Sequence, residues 1–472
     1  MRRIAGILAM LVMALTPAPA ALSEDAPARS LPAEVSQEVR LGGDYLLDGA
    51  VTVQKEGRLI LEEGTRVRVL KDASITVHGR MEIRGTQARP VIFSAPDGIT
   101  WNGISLLAGS ESVIEFTRIS GARTALSLIA CYASIRHTAV KGCEKGLYLV
   151  REARADVSRS QFSANKVGLA VEMRSTGEFR ASTFRGNEIG FGIASGGVPV
   201  VSGNRFESNA IGLQVLQRYP GKIEGNLFKG NRDGVRLYQN GPDTVLEKNL
   251  FVDNTEAAIL ALSYTSPTVT NNFISGGKYG VVANQFSSPR LVNNVLRGME
   301  QALHLNKKNS SEVRGNILSH SVTGIFCDFS SYPTVRDNLF ADNETHIRLG
   351  RFQSSDWEGK AGSRGLVLRS AARQGSRNPR LAEGPEQFPE AVDGSGNWWD
   401  ARTLAEMEAK GADADISTLF DGHDLPEVTY EGFGEETYRL DRIIYVPPRT
   451  GPPEGAGLRG WKGTEDELSL PD

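Results

Sequence analysis

Gly203-Asn-Arg-Phe206-Glu-Ser-Asn209-Ala-Ile-Gly212-Leu213-Gln-Val215 is answered, 22 residues on, by Gly225-Asn-Leu-Phe228-Lys-Gly-Asn231-Arg-Asp-Gly234-Val235-Arg-Leu237. Phe falls on Phe, both Asn fall on Asn, and Gly212 falls on Gly234. The register runs outward in both directions. Val140, Phe162, Phe184, Phe206, Phe228, Phe251, Ile274, Leu296, Leu318 and Phe340 form one anchor row, in steps of 22 or 23. Apolar rows accompany it. The row five residues earlier runs from Ile135 to Val335. The row seven later includes Leu213, Val235, Ala258 and Val281, and the row nine later includes Val215, Leu237, Leu260 and Ala283. The residue between the last two rows varies freely, as in a strand with one buried face.

Polar rows are as regular. Asn204, Asn226, Asn249, Asn272, Asn294, Asn316 and Asn338 stand two before the anchor, and Asn165, Asn187, Asn209, Asn231 and Asn254 stand three after it. Asn at a bend bonds its own backbone, tolerates a left-handed conformation, and stacks amide on amide with the next repeat. A Gly/Ala row six after the anchor implies tight corner packing more than an obligatory positive φ. Such a short repeat is one coil of a parallel β-helix, which buries its apolar face only by stacking on its neighbours. The expected fold is all-β: a single-stranded parallel β-helix of about 14–15 coils, each of 21–23 residues.

Composition agrees. Gly is 51 of 472 residues and the apolar share is 40%, which fits a turn-rich β protein and excludes a disordered chain. Three Cys make no disulfide scaffold and fit no zinc spacing, although a Cys131–Cys143 bridge stays open. Residues 1–21 read as a secretory signal, with Arg2 and Arg3 before an apolar run and Ala18-Pro19-Ala20 as cleavage pattern. No transmembrane anchor is expected, so the protein is assigned to the periplasm or the exterior, as a monomer. The domain reading is 22–44 as N-terminal segment and cap, 45–350 as β-helix, and 351–390 as an irregular basic insertion. Residues 391–411 would make the last coil, sealed by Trp398-Trp399 and a short helix with a Thr403/Glu406 capping box. Residues 412–472 form an acidic, Pro-rich extension, expected to be mobile from 446 on. Residues 391–472 carry 18 acidic and 7 basic residues, whereas 22–390 carries an excess of 6 basic ones. This suits a polyanionic ligand, or mutual attraction of tail and body. Nucleic acid is not expected for an exported chain with a small acidic excess.

The repeat with Gly203 to Phe206 and Gly225 to Phe228, the Trp101-Asn-Gly-Ile104 segment and Gly396 to Trp399 resemble the right-handed parallel β-helix superfamily of secreted bacterial proteins. That pectate-lyase-like group includes the NosD-type periplasmic accessory proteins. The resemblance covers about residues 45–400 and implies a right-handed helix and an exported location. It carries over no catalytic residue, because the Asp-rich and Gly-His-Gly motifs of polygalacturonase-like members are absent.

Chemistry can be sought by row, since one row on adjacent coils is spaced by about 5 Å. Five after the anchor, Asp233 and Glu256 are expected side by side, with Asp253 on the same coil. Such a pair would serve as acid and nucleophile or base, or bind calcium; balance by Lys229 and Arg232 is the plainer alternative. Otherwise no metal or cofactor is expected. A second candidate is an aromatic shelf. Tyr264 and Phe286 each precede a Pro by three residues, and Tyr219 and Tyr238 lie in corresponding loops. With Asn284, Gln285, Asn306 and Asp328 they would hold sugar rings. A stack protecting its own loop is the structural alternative. His304 has no evident partner. The expected function is binding of an extended ligand, foremost a polysaccharide, without demonstrable catalysis. The alternatives are a polysaccharide lyase or glycoside hydrolase, and a NosD-type scaffold for an envelope assembly with a protein partner.

Overall fold

A computed structural model describes residues 29–360, 362, 389–431 and 435–459. The signal sequence and the arginines of the insertion from Arg364 to Arg380 lie outside the described residues. Three long parallel sheets wind into a rod, with sixteen, sixteen and fourteen strands. Each coil contributes one strand to each sheet in turn. One coil reads Arg205–Glu207 in sheet 1, Ile211–Leu216 in sheet 2 and Lys222–Glu224 in sheet 3.

The anchor row is a single interior column. Phe162, Phe184, Phe206, Phe228 and Phe251 are fully buried, with successive ring centroids 5.2, 4.9, 4.7 and 4.8 Å apart. Trp399 extends the column beyond Phe340, at 4.7 Å. The Asn rows run beside it. Each amide from Asn204 to Asn338 donates to the Oδ1 of the next Asn, at 3.0–3.2 Å, and to a carbonyl of the coil before. The left-handed position is the residue before each Asn, such as Gly203, Lys248 and Asn271, and not the Asn itself. Gly212 has no positive φ; a Cβ there would lie 2.5 Å from the Gly234 carbonyl oxygen, so close coil contact requires the glycine.

Several expectations change. The solenoid begins earlier than residue 45: Arg29–Ser30, Glu34–Val35 and Glu38–Leu41 already pair in parallel with the next coil, so the expected cap is itself a coil. Cys131, Cys143 and Cys327 are free and buried. The helix Ala401–Lys410 is capped by Asp400, which accepts from Thr403 N at 2.9 Å. Glu406 instead bonds Lys410 and Ser417, so Thr403 and Glu406 form no capping box. The described part of the C-terminal extension, to residue 459, is also built in. Leu419–Phe420 joins sheet 2, Arg442–Ile444 pairs with Ala391–Asp393, and 447–459 runs back along the rod as a strap. Arg449 pairs with Asp337, Gly457 N bonds Gly315 O at 2.8 Å, and Arg459 N reaches Asn271 Oδ1 at 3.2 Å. The strap finds partners because the outward side of sheet 1 turns apolar there, with Gly457 seated against Ile317 and Val295.

Two predictions follow from this packing. Asn249→Ala leaves the buried Asn226 N without its acceptor and removes the side-chain bonds to Ile223 O and Asn272 Oδ1, although Asn272 Oδ1 keeps the backbone N–H of residue 249. It should lower stability by about 2 kcal/mol or more in denaturant unfolding, because an orphaned buried group costs about 1–3 kcal/mol and each further lost bond about 1 kcal/mol. An unchanged midpoint would show that the ladder is ornamental. His346 is fully buried between Asn343, Thr403 and Asp400, beside Trp399, and burial holds its imidazole down at about 4. The folded-state value lies below the ordinary one, so its contribution is complete above about pH 6.5 and declines as pH falls toward 4. Thermal melts from pH 7 to 4 should show this loss in the native chain and a flatter profile in His346→Gln.

Candidate functional site

The outward face of sheet 2 carries the candidate chemistry. Each strand there presents three outward columns, and residues three apart meet across a slight bend. Lys145 lies 4.0 Å from the Tyr148 ring centroid, Asp233 pairs with Arg236, and His304 Nδ1 lies 2.8 Å from Gln301 Oε1.

The expected acid pair is not assembled. Glu256 N and Ala257 N both bond Arg232 O, at 2.9 and 3.2 Å, so the coil carries a bulge. Ala257 therefore stands opposite Asp233, and Ile259 and Ala261 take the inward places expected for Ala258 and Leu260. Asp233 is buried and pairs with Arg236, with Arg232 at 3.8 Å. Glu256 is exposed and faces Lys278 at 3.6 Å. Asp253 is exposed at a left-handed turn position. The three carboxylates thus offer neither an acid–base pair nor a convergent oxygen set for calcium.

The aromatic shelf does form, as two rings. Tyr264 and Phe286 stack at 5.1 Å and 5° and remain 67% and 47% exposed. Each is the second residue of a left-handed pair, Ser263-Tyr264 and Gln285-Phe286, which turns the ring outward. Lys308, one coil on, lies 5.8 Å from the Phe286 centroid. Tyr219 does not join: it is buried, and its hydroxyl donates to Pro199 O at 2.7 Å. Tyr238 is half-buried at the end of Asp233–Tyr238.

Polar groups border the rings. Ser263 Oγ donates to Gln285 Oε1 at 2.7 Å, and Asn284 Oδ1 accepts from Gln285 N at 2.7 Å. Asn306 and Asp328 are register neighbours. Asp328 Oδ1 accepts from Phe329 N and Phe352 N, at 2.9 and 2.8 Å, while burial pushes its carboxyl up to about 6. Asn306 Nδ2 lies 3.3 Å from His304 Nε2, and its buried Oδ1 has no hydrogen-bond partner. His304 sits between Phe326, at 5.0 Å, and the edge of Tyr279, at 5.3 Å, and burial keeps its imidazole below the ordinary value. In the sequence His304 has no evident partner. The spacing Gln301-x-x-His304-x-Asn306 was the available signal, since it repeats the outward spacing of Asp233 and Arg236. This arrangement can stack a ring and offer amide hydrogen bonds beside it, whereas the Asp328 carboxyl is buried on the backbone of its own loop.

The wound rod and its register settle the architecture. The chain is a right-handed parallel β-helix. Residues 103–274 match the model of the right handed beta helix region, and residues 197–365 match that of the periplasmic copper-binding protein NosD. No curated protein matches the chain. Among solved structures, the Agl-KA catalytic domain is 12% identical, covering 62% of this chain and 63% of its own, with a TM-score of 0.41. A variant of the periplasmic alginate epimerase AlgG is 15% identical over 64% of this chain and 77% of its own, at 0.42. The PL6 family alginate lyase AlyGC is 13% identical over 64% and 53%, at 0.38. The chain thus spans about 63% of the length of the first of these. No described helix is long and apolar enough to cross a membrane.

Copper sites draw on clustered thiolate, thioether or imidazole groups. Among the described residues, no group of three His, Cys, Asp or Glu is placed to hold a metal. Burial pushes the thiols of Cys131, Cys143 and Cys327 up, the opposite of what a thiolate ligand needs. The described residues of this β-helix do not fit a copper centre.

The Asp233–Arg236 pair yields a stability test. Arg236→Leu strands a buried carboxylate and should cost about 3–5 kcal/mol. Asp233→Val with Arg236→Leu should recover most of it, because three of the four register neighbours, Ile211, Ala257 and Leu260, are apolar and the fourth is Gln214. Denaturant midpoints of the single and double variants check this; a double variant as weak as the single one would refute it.

Proposed function

We propose that this protein is an exported, non-catalytic β-helix that holds an extended carbohydrate along the ridge beside sheet 2. The observation that carries the reading is the exposed Tyr264–Phe286 stack, bordered by Asn284, Gln285, Asn306 and Asp328. Flat rings pack on the apolar faces of sugars, and the amides of Asn284, Gln285 and Asn306 take the hydroxyls. The rod repeats its backbone along one axis, which suits a ligand that repeats as well. Asp233 and Glu256, separated by the bulge, give a lyase or hydrolase reading no support. A glycan array with the full chain should return oligosaccharide hits without cleavage products. Tyr264→Ala with Phe286→Ala should weaken any hit about tenfold or more, at roughly 1 kcal/mol per ring contact. Unchanged affinity, or turnover of the bound glycan, would overturn the proposal.

The match of residues 197–365 to the NosD model supports a second reading, an accessory scaffold for an envelope assembly. In that reading the ridge docks a protein partner. The array would then stay blank, and a photo-crosslinker at position 264 would capture a single envelope protein.

A further inference from the structure

Sheet 3 and sheet 1 treat their cations differently. On sheet 3 the outward arginines are balanced, as Arg58 is by Glu38 and Glu82, Arg180 by Glu178, and Arg290 by Glu312. On the N-terminal half of sheet 1 they are not. Arg66, Arg68, Arg118, Lys141 and Arg185 are exposed and have no ion-pair partner among the described residues. They occupy two neighbouring outward columns of six consecutive strands, between Asp44 on one side and Glu207 on the other. No acidic side chain interrupts the columns there. At about 4.8 Å per coil the stripe is roughly 24 Å long and about 7 Å wide. Arg66 and Arg118 lie two coils apart, as do Lys141 and Arg185, so the charges repeat along the axis at roughly 10 Å.

Between the cations the columns carry Ser94, Ser120, Gln161, Ser163 and Thr183, with Ile92 and Ala139 as the two apolar members. The described part of the strap reaches Asn271 with Arg459. Uncompensated like charges at this density raise the local potential and attract a counter-charged chain. We infer that this stripe binds a linear acidic glycan, carboxylated or sulfated, laid along the rod axis. A narrow line of charge fits a chain better than a plane. Hydroxyl and amide groups between the cations fit sugar hydroxyls, and no aromatic ring stands in the two columns for a nucleobase to stack on. The site is separate from the Tyr264–Phe286 ridge and does not rest on it.

The test uses the full chain and four probes: polygalacturonate, dextran sulfate, unsubstituted dextran and single-stranded DNA. One or both acidic glycans should bind, about tenfold more weakly at 200 mM than at 50 mM salt, because several counterions are released. The arm that binds more tightly names the acid group. Arg118→Gln, Lys141→Gln and Arg185→Gln together should weaken binding about tenfold and flatten its salt dependence. Arg180→Gln with Arg290→Gln, which removes balanced cations, should change it less than twofold. All five positions are exposed, so melting curves should match the native chain. Tyr264→Ala with Phe286→Ala should leave acidic-glycan binding intact, whatever becomes of the ridge. Equal losses in both arginine variants, absence of salt-dependent glycan binding, or equally tight binding of DNA would overturn the assignment.

Discussion

Axial stacking at a fixed register holds this molecule together. No single coil has an interior. Phe206 becomes buried only when Phe184 and Phe228 lie against it, and Asn226 draws most of its bonds from neighbouring coils, through Asn204, Asn249 and the Val201 carbonyl. Stability is therefore a sum of nearest-neighbour contacts, and the rod must be closed where those contacts end. At the C-terminal end the Asn column finishes on Asn397 and the ring column on Trp399, with His346 and the Ala401–Lys410 helix beside them.

The same constraint frees the outside. Inward positions must repeat, whereas outward ones answer to whatever lies against each sheet. Sheet 3 is a lattice of ion pairs. Sheet 1 is cationic in one half and apolar under the strap in the other. Sheet 2 carries buried pairs and the two-ring ridge. One backbone rule thus produces three chemically distinct surfaces, and the functional proposals attach to two of them.

The bulge at Glu256 shows how an inserted residue redirects chemistry. One extra residue at Glu256 turns its carboxylate outward toward Lys278 and leaves Asp233 to Arg236. A step of 23 in the anchor row signals that an insertion exists. It does not say where after the Asn254 corner the residue falls, because residues 257–261 are all apolar and either register keeps the interior filled. Only the competing backbone bonds to Arg232 O choose between them.

The 22-residue repeat by itself determined the wound rod, its inward columns, both Asn ladders and the pairing of Tyr264 with Phe286. Those features are local and periodic, so each residue's neighbour is found by counting. The tertiary structure alone decided the rest. The strap at 447–459 lies against coils more than a hundred residues away, and no period announces it. Asp400 rather than Thr403 caps the helix because the last coil turns there and leaves the Asp400 carboxylate facing Thr403 N. His304 gained partners only once the bend in each sheet 2 strand brought Gln301 onto its face. Repetition fixes neighbours along the axis, whereas bends, bulges and returning segments fix neighbours across it, and those depend on the whole fold.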